Sequence, residues 1–393
     1  MLLIIFARLN GGLTMNIREL RNMFPALSRT VYGKQLVYFD NAATAQRSQS
    51  VIDKWTQLTI GANANIHRAV HKLAVDATDE YESTRDAVKE YINAAAREEI
   101  VFTSGTTGSI NLVAFSFGET FVNKGDEIIV SESEHHSNIV PWQMLCQRKG
   151  AVLRVLHVDE DGHLNLEELK SLLNPKTRIV AVTQISNVLG ILNPVKEIVS
   201  VCHSVGCPVL IDGAQGMVHE GVDVQDVDCD FYAFSGHKLY AATGTGVLYG
   251  KRKWLDQMVP YQGGGEMIAT VRFSGTTYAP LPEKFEAGTQ NINAIPTLEP
   301  AIEMLKLMKD KELLNAQEAV SQYLLHALTS NPRIRLYGVP RGTETKIPLF
   351  SFSVEGAHHE DLALILDKMG IAVRSGQMCA EPLMDRFGVT GML

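Results

Sequence analysis

Seven short runs rich in β-branched residues lie between residues 99 and 250, and amphipathic stretches such as LEELKSLL and PVKEIVSVCHSV separate them. Apolar runs of this length bounded by turn residues are typical of buried strands. The runs are EIVFTSG, DEIIVSES, VLRVLHV, TRIVAVTQIS, CPVLIDGA, DFYAFSG and TGVLYG. Strand and helix in alternation predict an α/β fold with a mostly parallel seven-stranded sheet and helices on both faces.

The pattern changes beyond residue 262. A Gly-rich loop, a turn and a long helical tract near 294–328 precede a smaller α/β pattern from about residue 332. A chain of 393 residues suits one large domain with smaller lobes. The expected division is an N-terminal arm, a large domain and a small C-terminal α/β domain, over residues 1–37, 38–290 and 291–393.

Charge and cysteine usage exclude several classes of protein. The formal charge of -8 gives no electrostatic reason to expect nucleic acid or an anionic membrane as a partner. No stretch approaches the roughly 20 apolar residues of a membrane helix. The five cysteines are scattered without a C-x-x-C pair, which favours a reducing compartment and hence the cytoplasm. The N-terminus falls short of a secretory signal, and residues 1–14 could be an upstream mis-start before Met15.

Four short sequences that could carry chemistry follow predicted strands. They are TSGTTG at 103–108, ESEHHSN at 132–138, DGAQ at 212–215 and SGHK at 235–238. Ligands of open α/β sheets bind at the carboxyl ends of the strands. We therefore expect all four sequences to meet at one edge of the sheet.

The TSGTTG segment has the composition of a phosphate-binding turn. A predicted strand leads into Gly105, Thr106 and Thr107 and then into a predicted helix. Small residues there allow backbone N–H groups to approach a phosphate, and a helix N-terminus adds favourable partial charge. An ordinary capped helix after a turn explains this segment equally well when it is taken alone.

Asp212 stands at the end of an apolar predicted strand. A carboxylate in that position costs desolvation energy unless it meets a positive partner or several donors. A protonated pyridinium nitrogen is one such partner. The alternative is an aspartate that forms a turn before Gly213.

Histidines offer two competing interpretations. His135 and His136 follow a predicted strand, where an imidazole could lie flat on an aromatic cofactor or move a proton, or could simply cap a helix. His67 and His71 have the i, i+4 spacing of a metal pair. No cysteine or carboxylate completes a recognisable ligand set around them, so we expect no metal.

Lys238 lies between His237 and Leu239, ahead of small residues where a solvated lysine would be unusual. A lysine amine is mostly protonated at its ordinary pKa, but a site that desolvates it makes it a nucleophile able to form a Schiff base. Ser235 and His237 could hold the phosphate of the same ligand. A phosphate turn, a ring partner, a pyridinium carboxylate and an imine lysine together are what pyridoxal 5'-phosphate requires.

The order of these motifs resembles a known family. T-S-G-T-T, E-H-H-x-N, D-G-A-Q, S-G-H-K and finally RSGQMCAEPLM are similar to the SufS-type (group II) cysteine desulfurases of the class-V aminotransferases. The resemblance runs from YFDNAATAQ near residue 38 to the end of the chain. Five motifs in the right order make it specific. It implies the fold type I of pyridoxal-phosphate enzymes, which is the aspartate aminotransferase fold.

The resemblance also implies residue roles. Lys238 would carry the cofactor covalently and move the substrate Cα proton, and His135 would stack on the ring as an acid/base. Asp212 would pair with the pyridinium nitrogen, and Gln215 would hydrogen-bond the ring oxygen. The phosphate would be bound by Thr106, Thr107, Ser235, His237 and, in a homodimer, Thr289 of the partner subunit. The substrate side would be lined by Asn187, His67, Arg68 and Arg374.

Cys379 sits in VRSGQMCAEP, a predicted loop after a short apolar strand. Because a thiol has few thiolates at neutral pH, it gains from a positive neighbour, and Arg374 could supply one. The alternative is an unreactive loop cysteine. In the family the matching cysteine attacks the sulfur of L-cysteine, releases L-alanine and keeps a persulfide. The sulfur would then pass through a SufE- or SufU-type acceptor to iron–sulfur cluster assembly.

The chain departs from the family pattern in two places. Family members commonly have histidine at the place of Gln377 or Met378. The chain also stops at GVTGML, before an expected arginine-bearing strand, so we expect a fragment with weak activity. The alternatives are a selenocysteine lyase acting on L-selenocysteine, a cysteine sulfinate desulfinase, or a weakly active sulfur-relay protein. Kynureninase-like enzymes share the lysine but have no use for a persulfide cysteine.

Overall fold

The computed structural model describes residues 17–309, 311–338 and 346–393. Its strands in chain order are β1 Thr30–Val31, β2 Lys34–Gln35, β3 Val37–Tyr38, β4 Ile100–Thr103, β5 Glu127–Ser131, β6 Val152–Leu156, β7 Thr177–Thr183, β8 Val209–Asp212, β9 Phe231–Ser235, β10 Gly246–Gly250, β11 Ile268–Arg272, β12 Gly275–Tyr278, β13 Ile334–Tyr337, β14 Ser351–Val354 and β15 Ile371–Ala372. Each of the seven apolar runs in the sequence became a strand.

These seven strands form one sheet in the order β4-β10-β9-β8-β7-β5-β6. The pairs within β9, β8, β7, β5 and β6 are parallel, whereas β10 runs antiparallel to both of its neighbours. The predicted mostly parallel seven-stranded sheet is therefore confirmed, and with it the α/β fold class.

Helices cover both faces of this sheet. In chain order the α-helices of the described residues, including those outside the main sheet, are α1 Ile17–Asn22, α2 Gln49–Gly61, α3 Lys72–Tyr91, α4 Thr106–Phe121, α5 Val140–Lys149, α6 Leu166–Leu172, α7 Val195–His203, α8 Gly216–His219, α9 Val224–Val227, α10 Arg252–Leu255, α11 Leu298–Met308, α12 Lys311–Thr329, α13 His359–Lys368 and α14 Glu381–Phe387. Successive strand residues point to opposite faces, so Val180 packs with α3, α7 and α11, while Ile179 packs with α4 and α5. Both faces are apolar because both are covered.

One edge of the sheet collects the ends of five strands. Strands β5, β7, β8 and β9 are parallel and therefore end together. Gly246, the first residue of the antiparallel β10, pairs with both Thr103 at the end of β4 and Ser235 at the end of β9. All four predicted motifs thus start from the same edge, as expected.

Smaller elements surround the main sheet. The predicted helical tract near 294–328 is divided between α11 and α12. Strands β13 and β14 pair antiparallel, and β15 pairs in parallel with β3, which joins the N-terminal region to the C-terminal lobe. The predicted domain boundaries stay predictions, because no measured division of the chain tests them.

No helix in the described ranges is long and apolar enough to cross a membrane. Met1 and Met15, the two alternative starts, lie outside the described residues.

Candidate active site

A pocket opens at the edge of the sheet where the motifs meet. It is lined by ten of the predicted site residues: Thr106, Thr107, His135, Asn187, Asp212, Gln215, Ser235, His237, Lys238 and Arg374. Residues from six separate segments of the chain therefore converge, as the strand order requires. Ala42 and Ala43 from the segment after β3, together with Ser137, Thr183 and Ile185, complete most of the wall.

Lys238 reaches the pocket from a 3-10 turn, Gly236–Lys238, that directly follows β9. Burial lowers the pKa of its amine, and the positive charge of Arg374 lowers it further, while Asp212 and Cys379 oppose the shift. A lowered pKa increases the fraction of neutral amine at a given pH. The site therefore favours the nucleophilic form of this lysine.

The N-terminus of α4 is built to approach an anion. Thr106 N donates to Ser235 Oγ at 2.7 Å, and the hydroxyls of Thr106 and Ser235 are 2.8 Å apart. Gly105 has a φ of 145°, and a Cβ added to Gly246 would lie 2.3 Å from Gly105 Cα. Only glycine at 246 lets β10 pass this turn so closely. The helix N-terminus and the hydroxyls of Thr106 and Ser235 form a polar cradle at the pocket wall, of the kind that binds anions.

Asp212 and Gln215 also line the pocket and are almost fully buried. Among the described residues, the Asp212 carboxylate has one hydrogen-bond donor, Ala214 N, at 2.9 Å from Oδ1. Burial raises the pKa of Asp212, although this donor and Lys238 partly oppose the shift. A buried carboxylate with so few donors suits a cationic partner from a ligand. Gln215 Nε2 donates to Ala42 O at 2.7 Å, which ties the segment after β3 to the pocket.

His135 lies in the turn after β5, and its orientation is defined by Ser137. Ser137 N donates to His135 Nδ1 at 3.0 Å, and Ser137 Oγ is 2.8 Å from the same nitrogen. Burial lowers the pKa of His135 to about 4, with a further contribution from Lys238. The imidazole is therefore neutral at pH 7. Because Nδ1 accepts a backbone N–H, the ring proton is on Nε2.

His237 also has a lowered pKa, chiefly because of burial. Its Nδ1 lies 3.1 Å from Thr44 Oγ1, so its position depends on the segment after β3. Neutral His237 beside the cradle is a hydrogen-bonding group rather than a fixed charge.

The loop that carries Cys379 has an unusual backbone. Met378 and Cys379 have φ values of 53° and 58°, both in the left-handed region. Such residues persist only where surrounding contacts hold them. His136 N donates to Cys379 O at 2.8 Å, and Asn187 Nδ2 donates to Met378 O at 2.8 Å. Asn187 thus lines the pocket, as expected, and also anchors this loop.

The thiol of Cys379 is the accessible one. The other four cysteines are buried, whereas Cys379 is partly exposed. Its Sγ is 4.0 Å from Nη2 of the exposed Arg374. The positive neighbour expected from the sequence is therefore at the thiol.

Like Cys379, three other predicted residues do not line the pocket of their own chain. Thr289 is exposed. His67 Nε2 contacts Glu82 Oε1 at 3.1 Å, and this hydrogen bond raises the pKa of His67. Arg68 Nε pairs with Glu266 Oε1 at 2.5 Å. Their proposed roles in the site stay predictions, because a single chain does not test a site shared between subunits.

The metal alternative gains no support from the two histidines. His71 Nδ1 accepts from Ala74 N at 3.3 Å and so caps α3, while His67 contacts Glu82. Within the described ranges, no group of three or more His, Cys, Asp or Glu side chains is arranged to hold a metal ion.

The structural roles of Glu134 and His136 were missed by the sequence analysis. Glu134 is completely buried, and His136 is, with Asn187, one of the residues that hold the Cys379 loop. The only signal in the sequence was a carboxylate where an apolar strand ends, as at Asp212. Nothing local indicated which partners it would find.

The sequence profile of the class-V aminotransferases matches residues 37–393. The chain belongs to this family, among its cysteine desulfurases. A cysteine desulfurase of Pectobacterium carotovorum subsp. carotovorum (strain PC1) is 46% identical over 377 residues, covering 96% of this chain and 92% of that protein. One from Cronobacter sakazakii (strain ATCC BAA-894) is 44% identical over 381 residues, covering 97% and 93%.

Solved structures of class-V enzymes have the same fold. The cysteine desulfurase CsdA (S-sulfonic acid) from Escherichia coli superposes with a TM-score of 0.86 at 38% identity, covering 97% of this chain and 93% of that one. An apo cysteine desulfurase from Thermococcus onnurineus NA1 superposes with a TM-score of 0.88 at 34% identity, covering 96% and 92%. The predicted fold type I of pyridoxal-phosphate enzymes is confirmed.

Class-V aminotransferases use pyridoxal 5'-phosphate, and this cofactor prediction is confirmed for the chain. The residues of the pocket fit the group. The glycine turn before Thr106 leaves room for close backbone approach, the buried Asp212 has no cationic partner in direct contact among the described residues, and Lys238 supplies an amine of lowered pKa.

Proposed function

We propose that this protein converts L-cysteine to L-alanine and retains the substrate sulfur as a persulfide on Cys379. One observation carries the proposal: an accessible thiol, with Arg374 Nη2 4.0 Å from its sulfur, stands beside a pocket that holds Lys238 and Asp212. The lysine and the carboxylate serve many reactions of pyridoxal phosphate. A reactive cysteine is needed only where the enzyme itself accepts the sulfur of the substrate.

Each charged or polar residue of the pocket has a separate role in the proposed reaction. Bound pyridoxal phosphate supplies an electron sink for charge that develops at the substrate Cα. Lys238 holds the cofactor and, as a partly desolvated amine, takes the proton from Cα. Asp212 would pair with the ring nitrogen and favour its protonated form. Neutral His135 carries a proton on Nε2 and can donate it to a developing negative charge.

The anchoring groups act on the two ends of the cofactor. Gln215 would hydrogen-bond the ring oxygen, and Thr106, Thr107, Ser235 and His237, which line the same pocket, would hold the phosphate. Arg374 and Asn187 line the side on which the substrate enters. These groups orient the reacting atoms and keep the pocket wall polar where charge is bound.

The sulfur transfer balances without an external oxidant. The Cys379 thiolate attacks the sulfur of the substrate, a new S–S bond forms, and the Cβ–S bond of the substrate breaks. The electron pair of that bond stays on the carbon skeleton, which takes up protons to become L-alanine. Cys379 is left as a persulfide that contains the substrate sulfur, and L-alanine contains the remaining atoms of the substrate.

We further propose the finer assignment to the SufS-type, group II enzymes. In this proposal the protein is a cytoplasmic homodimer in which Thr289, His67 and Arg68 complete the neighbouring site. A SufE- or SufU-type protein then takes the sulfur for iron–sulfur cluster assembly. The partly exposed loop of Cys379 supports transfer to another protein, because an acceptor thiol can reach it.

A serine substitution tests the sulfur step. We expect Cys379→Ser to reduce alanine release from L-cysteine to background, because serine cannot form a persulfide. Cys146→Ser is the matched control, since Cys146 is buried in the core and far from the chemistry. Alanine is measured with a thiol reductant present, and the persulfide is detected by mass spectrometry of the loop peptide.

The same variant separates the alternatives. Alanine release from L-selenocysteine that persists in Cys379→Ser would be expected of a desulfurase with side activity as a selenocysteine lyase. Full activity of Cys379→Ser on L-cysteine would contradict the persulfide role. Loss of the cofactor's visible absorbance in Lys238→Ala distinguishes an enzyme of this family from a sulfur-relay protein.

A further inference from the structure

Glu134 is a buried carboxyl group that the proposed reaction does not use. It has no exposed surface, and it stands between the end of β5 and His135. Three groups donate to it: Thr183 N to Oε1 at 2.9 Å, Asn138 Nδ2 to Oε2 at 2.6 Å, and the hydroxyl of Ser131 to Oε1. Glu134 thereby ties the turn after β5 to the end of β7.

Two of these three donors cannot reverse their roles. A backbone N–H such as that of Thr183 only donates. The amide of Asn138 is fixed because Trp142 Nε1 donates to its Oδ1 at 2.9 Å, which leaves Nδ2 directed at Glu134. The side chain at position 134 must therefore accept at both of its oxygen positions. Glutamate meets this requirement, and glutamine does not.

The third donor, the Ser131 hydroxyl, can also accept a hydrogen bond, so it tolerates a protonated Glu134. Burial raises the pKa of Glu134 to about 8, and the nearby charge of Asp212 contributes to the shift. The proton of the neutral acid can be donated only to the Ser131 hydroxyl, which can in turn donate to Ser133 Oγ at 2.9 Å. At pH 7 the network thus adds little negative charge beside Asp212.

The turn that Glu134 fixes touches both reacting parts of the site. His135 projects into the pocket, with its Nδ1 held by Ser137. His136 holds the other side: its N donates to Cys379 O at 2.8 Å, and its Nε2 accepts from Glu381 N at 3.1 Å. One short turn therefore connects the ring-facing imidazole to the loop of the thiol.

We propose that Glu134 is a positioning residue that sets the place of His135 and of the Cys379 loop relative to each other. The inference rests on the proposed function, in which these two residues act on the same substrate. Because the left-handed backbone of Met378 and Cys379 needs contacts to hold it, release of the turn would also release the loop.

A donor–acceptor exchange tests this proposal. Glu134→Gln places an NH2 group against either Thr183 N or Asn138 Nδ2, so one buried donor always faces another. The double variant Glu134→Gln with Asn138→Asp restores the pattern: the new amide at position 134 donates to the new carboxylate, which still accepts from Trp142. Glu99→Gln is the matched control, because Glu99 is also buried and accepts backbone N–H groups, away from the pocket.

Two readouts on the holoenzyme are compared. We expect Glu134→Gln to lower kcat for alanine release about tenfold or more, the size expected from one unsatisfied buried donor. We also expect faster amide hydrogen exchange in the peptide that contains Cys379 and Glu381, which is distant from position 134 in sequence. The double variant should return both values to within about threefold of the original protein, and Glu99→Gln should change neither.

Several results would overturn the proposal. One is a double variant as impaired as Glu134→Gln, and another is a Glu134→Gln protein that is less stable but has unchanged kcat and unchanged exchange at the Cys379 loop. If Glu134→Gln does not fold, the double variant decides alone, since it must fold and keep near-original values. An original protein that releases no alanine from cysteine would refute the proposed function, while the exchange measurement would still test the positioning.

Discussion

Burial acts in opposite directions on the charged residues of this pocket. It raises the pKa of Asp212 and lowers the pKa values of Lys238 and His135, so each group is moved toward its neutral form. Each shift reflects the free-energy cost of holding a charge in the buried pocket without a partner. A charged cofactor that enters it supplies the missing counter-charges, and folding and cofactor binding are then coupled.

The pH dependence of stability should reveal the buried state of His135. Its pKa is lowered to about 4 by burial, below the ordinary value of 6.5. Between these two pH values the unfolded chain binds more protons than the folded protein. The stability contribution of neutral His135 is therefore full above about pH 6.5 and is lost as the pH falls toward 4.

We expect His135→Gln to weaken this decline, because glutamine does not titrate and its oxygen can still accept from Ser137. Urea unfolding at pH 4.5, 5.5 and 7 gives the comparison. His219 is the matched control: burial also lowers its pKa to about 4, and it is not part of the pocket. His219→Gln should weaken the acid-dependent loss equally without reducing alanine release. An unchanged pH dependence in His135→Gln would contradict a neutral, buried imidazole.

At the scale of elements, the pocket depends on how closely β10 passes the turn before α4. A Cβ on Gly246 would meet backbone atoms of Gly105 at 2.3 and 2.4 Å, and neither backbone can move without shifting a strand of the sheet. The cradle is therefore a property of two adjacent elements and not of the TSGTTG sequence alone.

We expect Gly246→Ala to destabilise the protein by about 1–3 kcal/mol, the usual cost of overpacking a core, and to weaken binding of pyridoxal phosphate. Gly263→Ala is a suitable control, since a Cβ there meets no atom within 4 Å. That control should change stability by no more than about 0.5 kcal/mol. Urea unfolding and cofactor titration measure the two effects, and a Gly246→Ala protein with unchanged cofactor affinity would refute the link.

The sequence was most informative about elements whose signal is local. Each strand of the main sheet is a continuous apolar run, and strand ends in parallel sheets meet at one edge, so Asp212, His135 and Lys238 could be placed together in advance. The left-handed conformation at Met378 and Cys379 could not be predicted, because neither residue favours it and distant donors enforce it. Of the partners of Glu134, Ser131 and Asn138 are its neighbours in sequence, but Thr183 comes from β7, and no local pattern identifies that contact.

At the scale of the whole molecule, the proposed homodimer gives the clearest test of residues that lie outside the pocket. If Thr289 binds phosphate in the neighbouring subunit, Thr289→Asp places a negative charge beside that phosphate and inactivates both sites. Lys238→Ala also inactivates both sites. A hybrid of the two variants would contain one site with both defects and one with neither.

We therefore expect mixing after mild dissociation to restore up to about a quarter of the original activity, since half of the dimers would be hybrids with one intact site. Alanine release before and after mixing is the measurement. Mixing Lys238→Ala with Asp212→Ala is the control that should restore nothing, because both residues line the same subunit's pocket. Absence of recovery in the first mixture, with hybrids present, would place Thr289 outside the shared site.

The pairing of β3 with β15 has a consequence for synthesis of the protein. Val37 N bonds to Gly370 O and Phe39 N to Ala372 O, so the segment that carries Ala42 and Ala43 into the pocket is secured by residues far downstream in the sequence. The pocket wall cannot be completed on the ribosome before those downstream residues emerge. Closing so long a loop is slow, and the nascent enzyme would recruit its vitamin-derived cofactor only after β15 has been synthesised.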